Sequence, residues 1–524
     1  MTAAANDTDV LIVGAGPTGL VLALWLTRLG VRVRIIDKTA EPGTTSRAMA
    51  VQARTLELYA QLGLAAAVVE RGRKAVAVSL WTAGQPAARA VFGDMGIGLS
   101  PYPFAVIFPQ DEHERLLIAH LLDLGVSVER RTQLLAFEER DGRVRARLGR
   151  PDGFEEPCDA AYLAGCDGAR STVREALHIG FPGGTYDHVF YVADVVATGA
   201  ALDGALHVAL DVSDFLAVFP LKDAGHARLI GTVRAESVSR LDDLAWNDVS
   251  KRVIDWMRID VEQVRWFSTY HVHHRVAEHF RGSRAFIVGD AAHIHSPVGG
   301  QGMNTGIGDA VNLGWKLASV LHGCASASVL DTYEPERIAF ARRLVATTDR
   351  AFTAVTSDGT LARWLRLEVV PRVVPALFHF AAARRFMFRT VSQTAVNYRG
   401  SALSVGQAGA VHGGDRLPWA AVSGQPGEMG NFGPLTSLDW QVHVYGEAAP
   451  DVQRTCDARG IQLHAFPWSP EIARNGLQRD ALYLVRPDGY LALVEARDPA
   501  HVLANYLDTH SIHPRTAQEG GSRC

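Results

Sequence analysis

The sequence has few cysteines and no large excess of charge of either sign. No two cysteines form a Cys-x-x-Cys pair, and all five lie far apart, at Cys158, Cys166, Cys324, Cys456 and Cys524. This spacing excludes a zinc knuckle and indicates no disulfide framework, so we expect a cytoplasmic protein without a metal site. The 52 basic and 56 acidic side chains leave a formal net charge of −4. That balance argues against a nucleic acid as partner.

Long uninterrupted hydrophobic runs are also missing. An apolar stretch near the N-terminus, residues 10–26, is broken by Gly14, Gly16, Pro17 and Gly19. A membrane helix needs about 20 predominantly apolar residues and does not normally carry such turn residues in its first half. No basic segment typical of an export signal precedes it, so we expect no membrane partner. The 524 residues, 48% of them hydrophobic, predict roughly three globular units at about 150 residues each.

A strand–turn–helix–strand pattern occupies residues 9–37. The apolar run Asp9–Val13 leads into Gly14-x-Gly16-x-x-Gly19, and an alternating segment later ends at Asp37. Such glycines allow a tight turn, close approach of a diphosphate and packing of helix on strand, while the helix N-terminus attracts phosphate. Asp37 is placed to accept a ribose 2′-hydroxyl and disfavours a 2′-phosphate. The pattern predicts an FAD or NAD site, and a purely structural glycine turn is the alternative.

A second pattern favours FAD over NAD. The buried-strand pattern of residues 285–288 is followed by Gly289-Asp290, by a glycine-rich segment over residues 297–302 and by a helical pattern. An aspartate at the end of a strand can hold a ribityl chain. The N–H groups of a glycine-rich turn can reach a planar ring, and the positive helix end would stabilise charge on a reduced flavin. The alternative is an aspartate N-cap with a permissive loop.

The sequence pattern changes between His188 and Tyr270. Short apolar segments separated by turns predict an antiparallel meander there. Phe215, Ala217 and Phe219 share one face of such a strand, because side chains alternate along it. An aromatic face of this kind suits a flat aromatic ligand. Packing in the core of the sheet is an equally good explanation, so Phe215 and Phe219 are candidate substrate residues only.

Three motifs stand in order along the chain: Gly14-x-Gly16-x-x-Gly19, Cys166-Asp167-Gly168 with the arginines that follow it, and Gly289-Asp290 with its loop. Together they resemble the FAD-dependent aromatic monooxygenases of the para-hydroxybenzoate hydroxylase fold. The resemblance implies an α/β protein with a Rossmann-like FAD-binding domain and an inserted mixed or antiparallel β-sheet substrate domain. The last segment resembles the thioredoxin-like domain of the phenol hydroxylase and aromatic polyketide hydroxylase branch.

The resemblance also implies domain boundaries and roles for single residues. The FAD-binding domain would comprise 1–75, 102–187 and 280–400, the substrate domain 76–101 and 188–279, and the thioredoxin-like domain 401–524. Asp37 would bind the adenosine ribose, Arg47 and Gln110 the ribityl-phosphate region, and Asp290 the ribityl chain. Asp167 would be associated with the cofactor in a less defined way. The residues expected to line the isoalloxazine are Pro297, Gly299, Gly300, Gly302 and Met303.

The activity implied is hydroxylation of a phenolic or polyketide substrate, as in antibiotic biosynthesis, through a C4a-hydroperoxyflavin formed from O2. One glycine fingerprint fits a single noncovalent FAD, reduced by NADH or NADPH that docks transiently. Baeyer–Villiger oxygenation of a polyketide is an alternative, and a flavin-binding protein without turnover is another. A homodimer is compatible with the resemblance.

Position 49 departs from the resemblance. Phenol hydroxylase has an aspartate that acts on the substrate phenol just after the region equivalent to Arg47, and Met49 stands at that place here. Methionine offers apolar contact but no base, so no catalytic residue is assigned. Two interpretations of Met49 stay open. In one, Met49 contacts the substrate, which then either ionises readily by itself or is deprotonated elsewhere; in the other, Met49 merely packs.

Overall fold

The computed structural model describes residues 7–43, 48–82, 84–91, 95–210, 215–233, 244–296, 299–356, 369, 373, 376, 379–422 and 429–514. Strands and helices are numbered in chain order. In this part of the chain, no helix is both long enough and apolar enough to cross a membrane.

A sheet with a parallel centre organises the first unit. Its strands are β1 (Asp7–Val13), β2 (Val33–Asp37), β8 (Val128–Arg130), β9 (Gln133–Arg140), β10 (Arg143–Gly149), β11 (Glu155–Gly165) and β17 (Ala285–Ile287). Strands β8, β2, β1, β11 and β17 run parallel, whereas β10 and β9 continue antiparallel from the first half of β11. This order is that of a doubly wound nucleotide-binding sheet.

Helices cover the parallel strands. They are α1 (Pro17–Arg28), α4 (Gln110–Asp123), α5 (Thr172–Ala176), α7 (Gly302–Leu321) and α8 (Tyr333–Thr356). Helix α1 packs against both α4 and α7. The fully buried side chains of Leu22, Trp25 and Leu313 belong to the hydrophobic core of this unit. The predicted strand–helix–strand unit of residues 9–37 is confirmed.

A second sheet of eight strands lies beside the first unit, in the order β18-β16-β12-β15-β14-β13-β5-β6. Its strands are β5 (Ala77–Thr82), β6 (Gln85–Val91), β12 (Gly183–Gly199), β13 (Leu206–Leu210), β14 (Phe215–Pro220), β15 (His226–Val233), β16 (Ile259–Val276) and β18 (His293–Ile294). The predicted meander is confirmed as β13, β14 and β15. Helix α6 (Arg252–Trp256) packs against β16.

A small sheet lies between the two large ones. It consists of β3 (Ala50–Val51), β4 (Arg73–Ala75) and β7 (Ala105–Ile107), in the order β3-β7-β4. Helices α2 (Ala53–Gln61) and α3 (Ala65–Arg71) connect β3 to β4. The small sheet therefore places the segment around Met49 between the first unit and the eight-stranded sheet.

The C-terminal unit contains six strands in the order β20-β19-β24-β23-β21-β22. These are β19 (Val405–Ala408), β20 (Val411–His412), β21 (Gln441–Tyr445), β22 (Gln462–Phe466), β23 (Leu482–Val485) and β24 (Leu491–Glu495). Its helices are α10 (Pro450–Arg459), α11 (Pro470–Arg474) and α12 (Pro499–Thr509), and α9 (Ala381–Val391) precedes the unit. The β-α-β-α-β-β-α connectivity supports the thioredoxin-like class, which stays a prediction, as do the domain boundaries.

Candidate cofactor and substrate site

The sequence motifs meet at one edge of the parallel sheet. Gly14 follows β1, Asp37 ends β2, Asp167 follows β11, and Asp290 follows β17. Because parallel strands all end at the same edge, these four positions face one crevice. In open α/β sheets that edge is where dinucleotides bind.

The three fingerprint glycines have different surroundings. Gly14 has a φ of +104°, and a Cβ there would overlap the carbonyl oxygen of Cys166. A Cβ on Gly19 would overlap the carbonyl oxygen of Gly14. At Gly16, by contrast, an added Cβ would have nothing within 4 Å. Gly14 and Gly19 therefore allow the turn to pack, while the surface at Gly16 is open and fits a diphosphate.

The start of α1 suits an anion. Gly16 is the N-cap and makes no side-chain capping bond, so the first N–H groups of α1 keep their hydrogen-bonding capacity for a ligand. Asp37 lies beside this turn, where its carboxylate accepts hydrogen bonds from the Ala15 N–H at 2.7 Å and from Thr39. A ribose next to the diphosphate would meet this carboxylate, which is the role predicted for Asp37.

Gln110 begins α4, and its amide donates to Glu114 at 2.8 Å while accepting from the Ala48 N–H at 3.4 Å. Burial raises the pKa of Glu114, and that carboxylate also accepts from the Gly43 N–H. The predicted contact residue Arg47 lies outside the described residues, as does Pro297 of the predicted flavin loop. The role of Gln110 stays a prediction, supported by its place beside residue 48.

Asp167 organises its own turn. Its carboxylate accepts from the Ser171 hydroxyl at 2.6 Å and from the Val173 N–H at 3.1 Å, at the start of α5. Burial raises the pKa of Asp167. Arg174 on α5 donates to the carbonyl of Ala291 at 2.9 Å and thereby ties this turn to the one that carries Asp290. The association of Asp167 with a cofactor stays a prediction.

Asp290 is exposed, but a network of buried charged side chains holds the turn that carries it. The buried Asp309 of α7 accepts from the Gly289 N–H at 3.1 Å, and it also bonds His293 at 2.7 Å and Arg337 of α8. Although burial acts to raise the pKa of Asp309, the charges of Arg337 and His293 and their hydrogen bonds to this carboxylate together outweigh burial and lower the pKa. Nothing in the sequence predicts this network, except that the two helical segments α7 and α8 contain charged residues.

The glycine-rich loop before α7 lies against the Met49 segment. Gly299 and Gly300 have φ values of +81° and +61°, which glycine adopts most readily. The buried Asn304 amide donates to the carbonyls of Ala50 and Gly300 at 2.8 and 2.9 Å. Its oxygen accepts from the Gln52 N–H at 2.9 Å. Asn304, which sequence reasoning missed, thus holds the loop that leads through Gly302 and Met303 into α7.

Met49 is 3% exposed and faces the eight-stranded sheet. It packs in one hydrophobic cluster with Phe190, Ala217 and Ile230, against which Phe215 and Phe219 lie partly buried. The predicted common face of Phe215, Ala217 and Phe219 is confirmed, and it meets Met49. We refer to this surface of the sheet as the aromatic face. Its role in substrate binding stays a prediction.

One end of the aromatic face carries a polar pair that sequence reasoning missed. Trp266, Asp194, Arg228 and Phe219 occupy neighbouring strands in one row of the sheet. Arg228 donates to both oxygens of Asp194, at 2.6 and 2.7 Å, and its guanidinium lies 5.6 Å from the centre of the Trp266 ring. Asp194 is thereby committed to Arg228 by two charge-assisted hydrogen bonds.

A buried charge network joins the first unit to the C-terminal unit. Glu336 of α8 bonds Lys316 of α7 at 2.8 Å and Arg486 at 2.8 and 3.0 Å, and Arg486 also bonds Asp488. The side chains of Lys316, Glu336 and Arg486 are fully buried. Burial lowers the pKa of Lys316 to about 8 although Glu336 acts to raise it. The helix that follows the flavin loop is therefore anchored on the C-terminal unit.

Comparisons with known proteins agree with this geometry. Residues 7–348 match the family model described as FAD binding domain. The chain is 34% identical to 6-methylpretetramide 4-monooxygenase of Streptomyces rimosus, over 98% of this chain and 96% of that protein. The structure of anhydrotetracycline hydroxylase from the same organism is 29% identical, with a TM-score of 0.77 over 97% of this chain and all of that one. Aklavinone-11 hydroxylase in a complex with FAD and aklavinone is 25% identical, with a TM-score of 0.75 over 96% and 99% of the two chains.

Proposed function

Because the chain belongs to the family of FAD-dependent aromatic monooxygenases, we propose that it hydroxylates a phenolic polyketide or a related phenolic aromatic in the cytoplasm. The observation that carries this proposal is that Asn304 joins Gly300 of the glycine-rich loop to Ala50, which packs in the same hydrophobic cluster as Met49 and the aromatic face. A cofactor ring at that loop would have a flat, apolar, ring-lined surface opposite it. The buried thiols of Cys158, Cys166 and Cys456 are free, whereas Cys324 is disulfide-bonded, which the cysteine spacing did not indicate.

The residues present fit FAD. The open surface at Gly16 with the N-terminus of α1 would hold the diphosphate, Asp37 a ribose, and Asp290 the ribityl chain. When bound, FAD reduced by NADH or NADPH would activate O2, so that one oxygen atom passes to an aromatic ring and the other leaves as water. The protein would orient the flavin and the substrate and exclude water from the site. The buried Met49 and the aromatic face exclude water because they are apolar.

Met49 supplies no base, and of the two remaining options we propose a substrate that ionises by itself. Only the anion of a phenol makes the ring carbon rich enough in electrons to accept oxygen readily. Polyphenolic polyketides lose such a proton easily, since the negative charge spreads over several rings. 6-Methylpretetramide and aklavinone, named for two relatives, are polyketides, which supports this class.

The rate of hydroxylation is therefore expected to follow the ionisation of the substrate. The rate should rise with pH through the pKa of the phenol, and this midpoint should move to lower pH when a more acidic phenol is used. The measurement is the single-turnover rate of product formation against pH for two phenols of different acidity. A flavoprotein without turnover would form no product from either.

Two results would contradict this proposal. Hydroxylated products with the same midpoint for both phenols would show that the protein supplies a base. A fixed midpoint together with ester or ring-expanded products, identified by mass spectrometry, would show Baeyer–Villiger oxygenation instead.

Replacing Asp290 by alanine is expected to weaken FAD binding by roughly one to two orders of magnitude. One charge-assisted hydrogen bond of about 1.5–3 kcal/mol would be lost. The exposed Asp290 side chain is not part of the core, so the fold should survive. Flavin titration of the apoprotein measures the change. The matched control is Glu155→Ala, because Glu155 begins β11 and so lies at the edge of the sheet opposite to the crevice. Equal affinities of Asp290→Ala and wild type would refute the ribityl assignment.

A further inference from the structure

The row of the aromatic face that holds Asp194 and Arg228 differs from the rows beside it. Along β12 and β15, the nearby residues Phe190, Val192 and Ile230 are apolar and belong to one hydrophobic cluster. Asp194 and Arg228 are direct cross-strand partners, and both point to the same side of the sheet as this cluster, because side chains alternate along a strand. A charged pair therefore interrupts the apolar surface.

The two charged side chains are buried to different extents. The Arg228 side chain is 3% exposed, whereas that of Asp194 is 23% exposed. Strand β12 lies between β15 and β16, which pair with it on either side. The exposed part of Asp194 therefore opens away from the sheet, on the side of the aromatic face. Within this pair, the carboxylate is the group that a ligand on the aromatic face can reach.

The geometry of the pair leaves acceptor capacity on Asp194. Arg228 donates through Nε to Oδ1 at 2.6 Å and through Nη2 to Oδ2 at 2.7 Å, so each carboxylate oxygen receives one hydrogen bond from it. An ionised carboxylate can accept about four hydrogen bonds, two on each oxygen. A flat apolar ring laid over Asp194 would exclude water from the remaining positions and leave them unpaired, which costs free energy. A ligand that donates a hydrogen bond at this place avoids that cost.

The pair gains little as a purely structural element. Burial of an ion pair costs solvation energy that the mutual attraction often fails to recover, so apolar residues of similar volume are often equally stabilising or more so. Stability alone therefore gives no reason for two charges on this face. Recognition of a polar group of a ligand gives one.

The distance along β12 indicates which part of a substrate would reach Asp194. Phe190, in the cluster with Met49, and Asp194 are four residues apart, which corresponds to about 13 Å along an extended strand. Several fused six-membered rings span such a length. A substrate that lies along β12, with its reacting ring beside Met49 and the flavin loop, would place its far ring over Asp194.

We propose that Asp194, held in place by Arg228, accepts a hydrogen bond from a hydroxyl group on the substrate ring farthest from the hydroxylated carbon. Asp194 is then a specificity-determining residue, and Arg228 is its positioning residue. The pair selects polycyclic phenols with a hydroxyl group at each end over those with a hydroxyl group at one end only. This inference rests on the proposed function and narrows the substrate class of the same site.

The test compares two flat probes on the oxidised, FAD-loaded protein, 2,6-dihydroxyanthraquinone and its monomethyl ether. Both keep a phenol for the reacting end, and the ether lacks the hydrogen-bond donor at the other end. Wild-type protein is expected to bind the diol about 10-fold to 100-fold more tightly, the effect of one hydrogen bond to a charged group. Isothermal titration calorimetry, at a pH at which the hydroxyl groups are protonated, measures both Kd values.

The variant for this test replaces the whole pair, as Asp194→Leu with Arg228→Met, because removal of one partner alone would leave a buried charge unpaired. The Kd of the diol should rise to that of the ether, so that the preference disappears. The matched control is Asp159→Leu with Arg145→Met, since these residues are also direct cross-strand partners, on β11 and β10, with an ion pair of 3.0 Å. The control should keep the wild-type preference. Bound flavin per chain and circular dichroism verify that both variants are folded.

The pH dependence of binding distinguishes Asp194 from Arg228 as the contact. Ionisation of the far hydroxyl removes the donor and brings two negative charges together, so the preference for the diol should fall as the pH rises through the second pKa of the diol. A preference that instead grows with this ionisation would overturn the proposal, because Arg228 would then bind a phenolate. Equal Kd values of the two probes in the wild type, a wild-type preference in the double variant, or no binding of either probe would also overturn it.

Failure of this contact can be separated from failure of the proposed function, because binding is measured without turnover. Hydroxylated product from a phenol, together with equal affinities of the two probes, would refute the role of Asp194 alone. A preference for the diol in a protein that forms no product from any phenol would refute the hydroxylation and not the contact.

Discussion

Replacing Gly16 by valine is expected to give a folded protein that does not retain FAD. The backbone at Gly16 is extended, with φ −77°, and an added Cβ has no protein atom within 4 Å, so the chain tolerates the side chain. The space that valine fills is the space assigned to the diphosphate. Affinity should fall by roughly two orders of magnitude or more, because several charge-assisted hydrogen bonds of about 1.5–3 kcal/mol each are lost. The absorbance of bound flavin per chain, with circular dichroism for the fold, measures this.

Two other glycines make this experiment specific. Gly400 also has open space around an added Cβ but lies outside the crevice, so Gly400→Val should remain yellow. Gly14→Ala should instead impair folding itself, since its Cβ overlaps the Cys166 carbonyl and its φ is +104°. Full FAD occupancy in Gly16→Val would show that the diphosphate lies elsewhere.

Replacing Glu336 by glutamine is expected to lower the free energy of unfolding by about 3–5 kcal/mol, the usual cost of breaking a buried ion pair. Glu336 accepts hydrogen bonds from Lys316 and Arg486 in a fully buried position. Without its charge, the two cations are left with Asp488 as their remaining carboxylate within this network. Urea denaturation at constant pH measures the loss. The exposed pair of Arg459 and Asp508 provides a control, because Asp508→Asn should change stability far less.

The deficit of Glu336→Gln should depend on pH in a defined direction. The pKa of Lys316 is lowered by burial to about 8, and removing Glu336 lowers it further, while in the unfolded chain it stays near 10.5. Between the folded pKa and 10.5 the unfolded state binds more protons, so stability rises with pH. The variant enters this range at lower pH than the wild type. Its deficit should therefore shrink as the pH rises toward 8, and a constant deficit would contradict the assignment.

The sequence by itself determined the parts of this protein that depend on local pattern. Glycine spacing after a strand, an aspartate at the end of the next strand and the alternation of Phe215, Ala217 and Phe219 are properties of short segments. Parallel strands then bring their carboxyl ends together by geometry, so Gly14, Asp37, Asp167 and Asp290 could be expected at one edge. Met49 could be singled out only because phenol hydroxylase has an aspartate at the equivalent place.

The tertiary structure alone decided which distant side chains meet. Asp309 pairs with Arg337, Asp194 with Arg228, and Glu336 with Arg486, which is 150 residues away along the chain. No periodicity marks such partners, because a buried charge needs only an opposite charge at hydrogen-bond distance and not at any particular spacing in sequence.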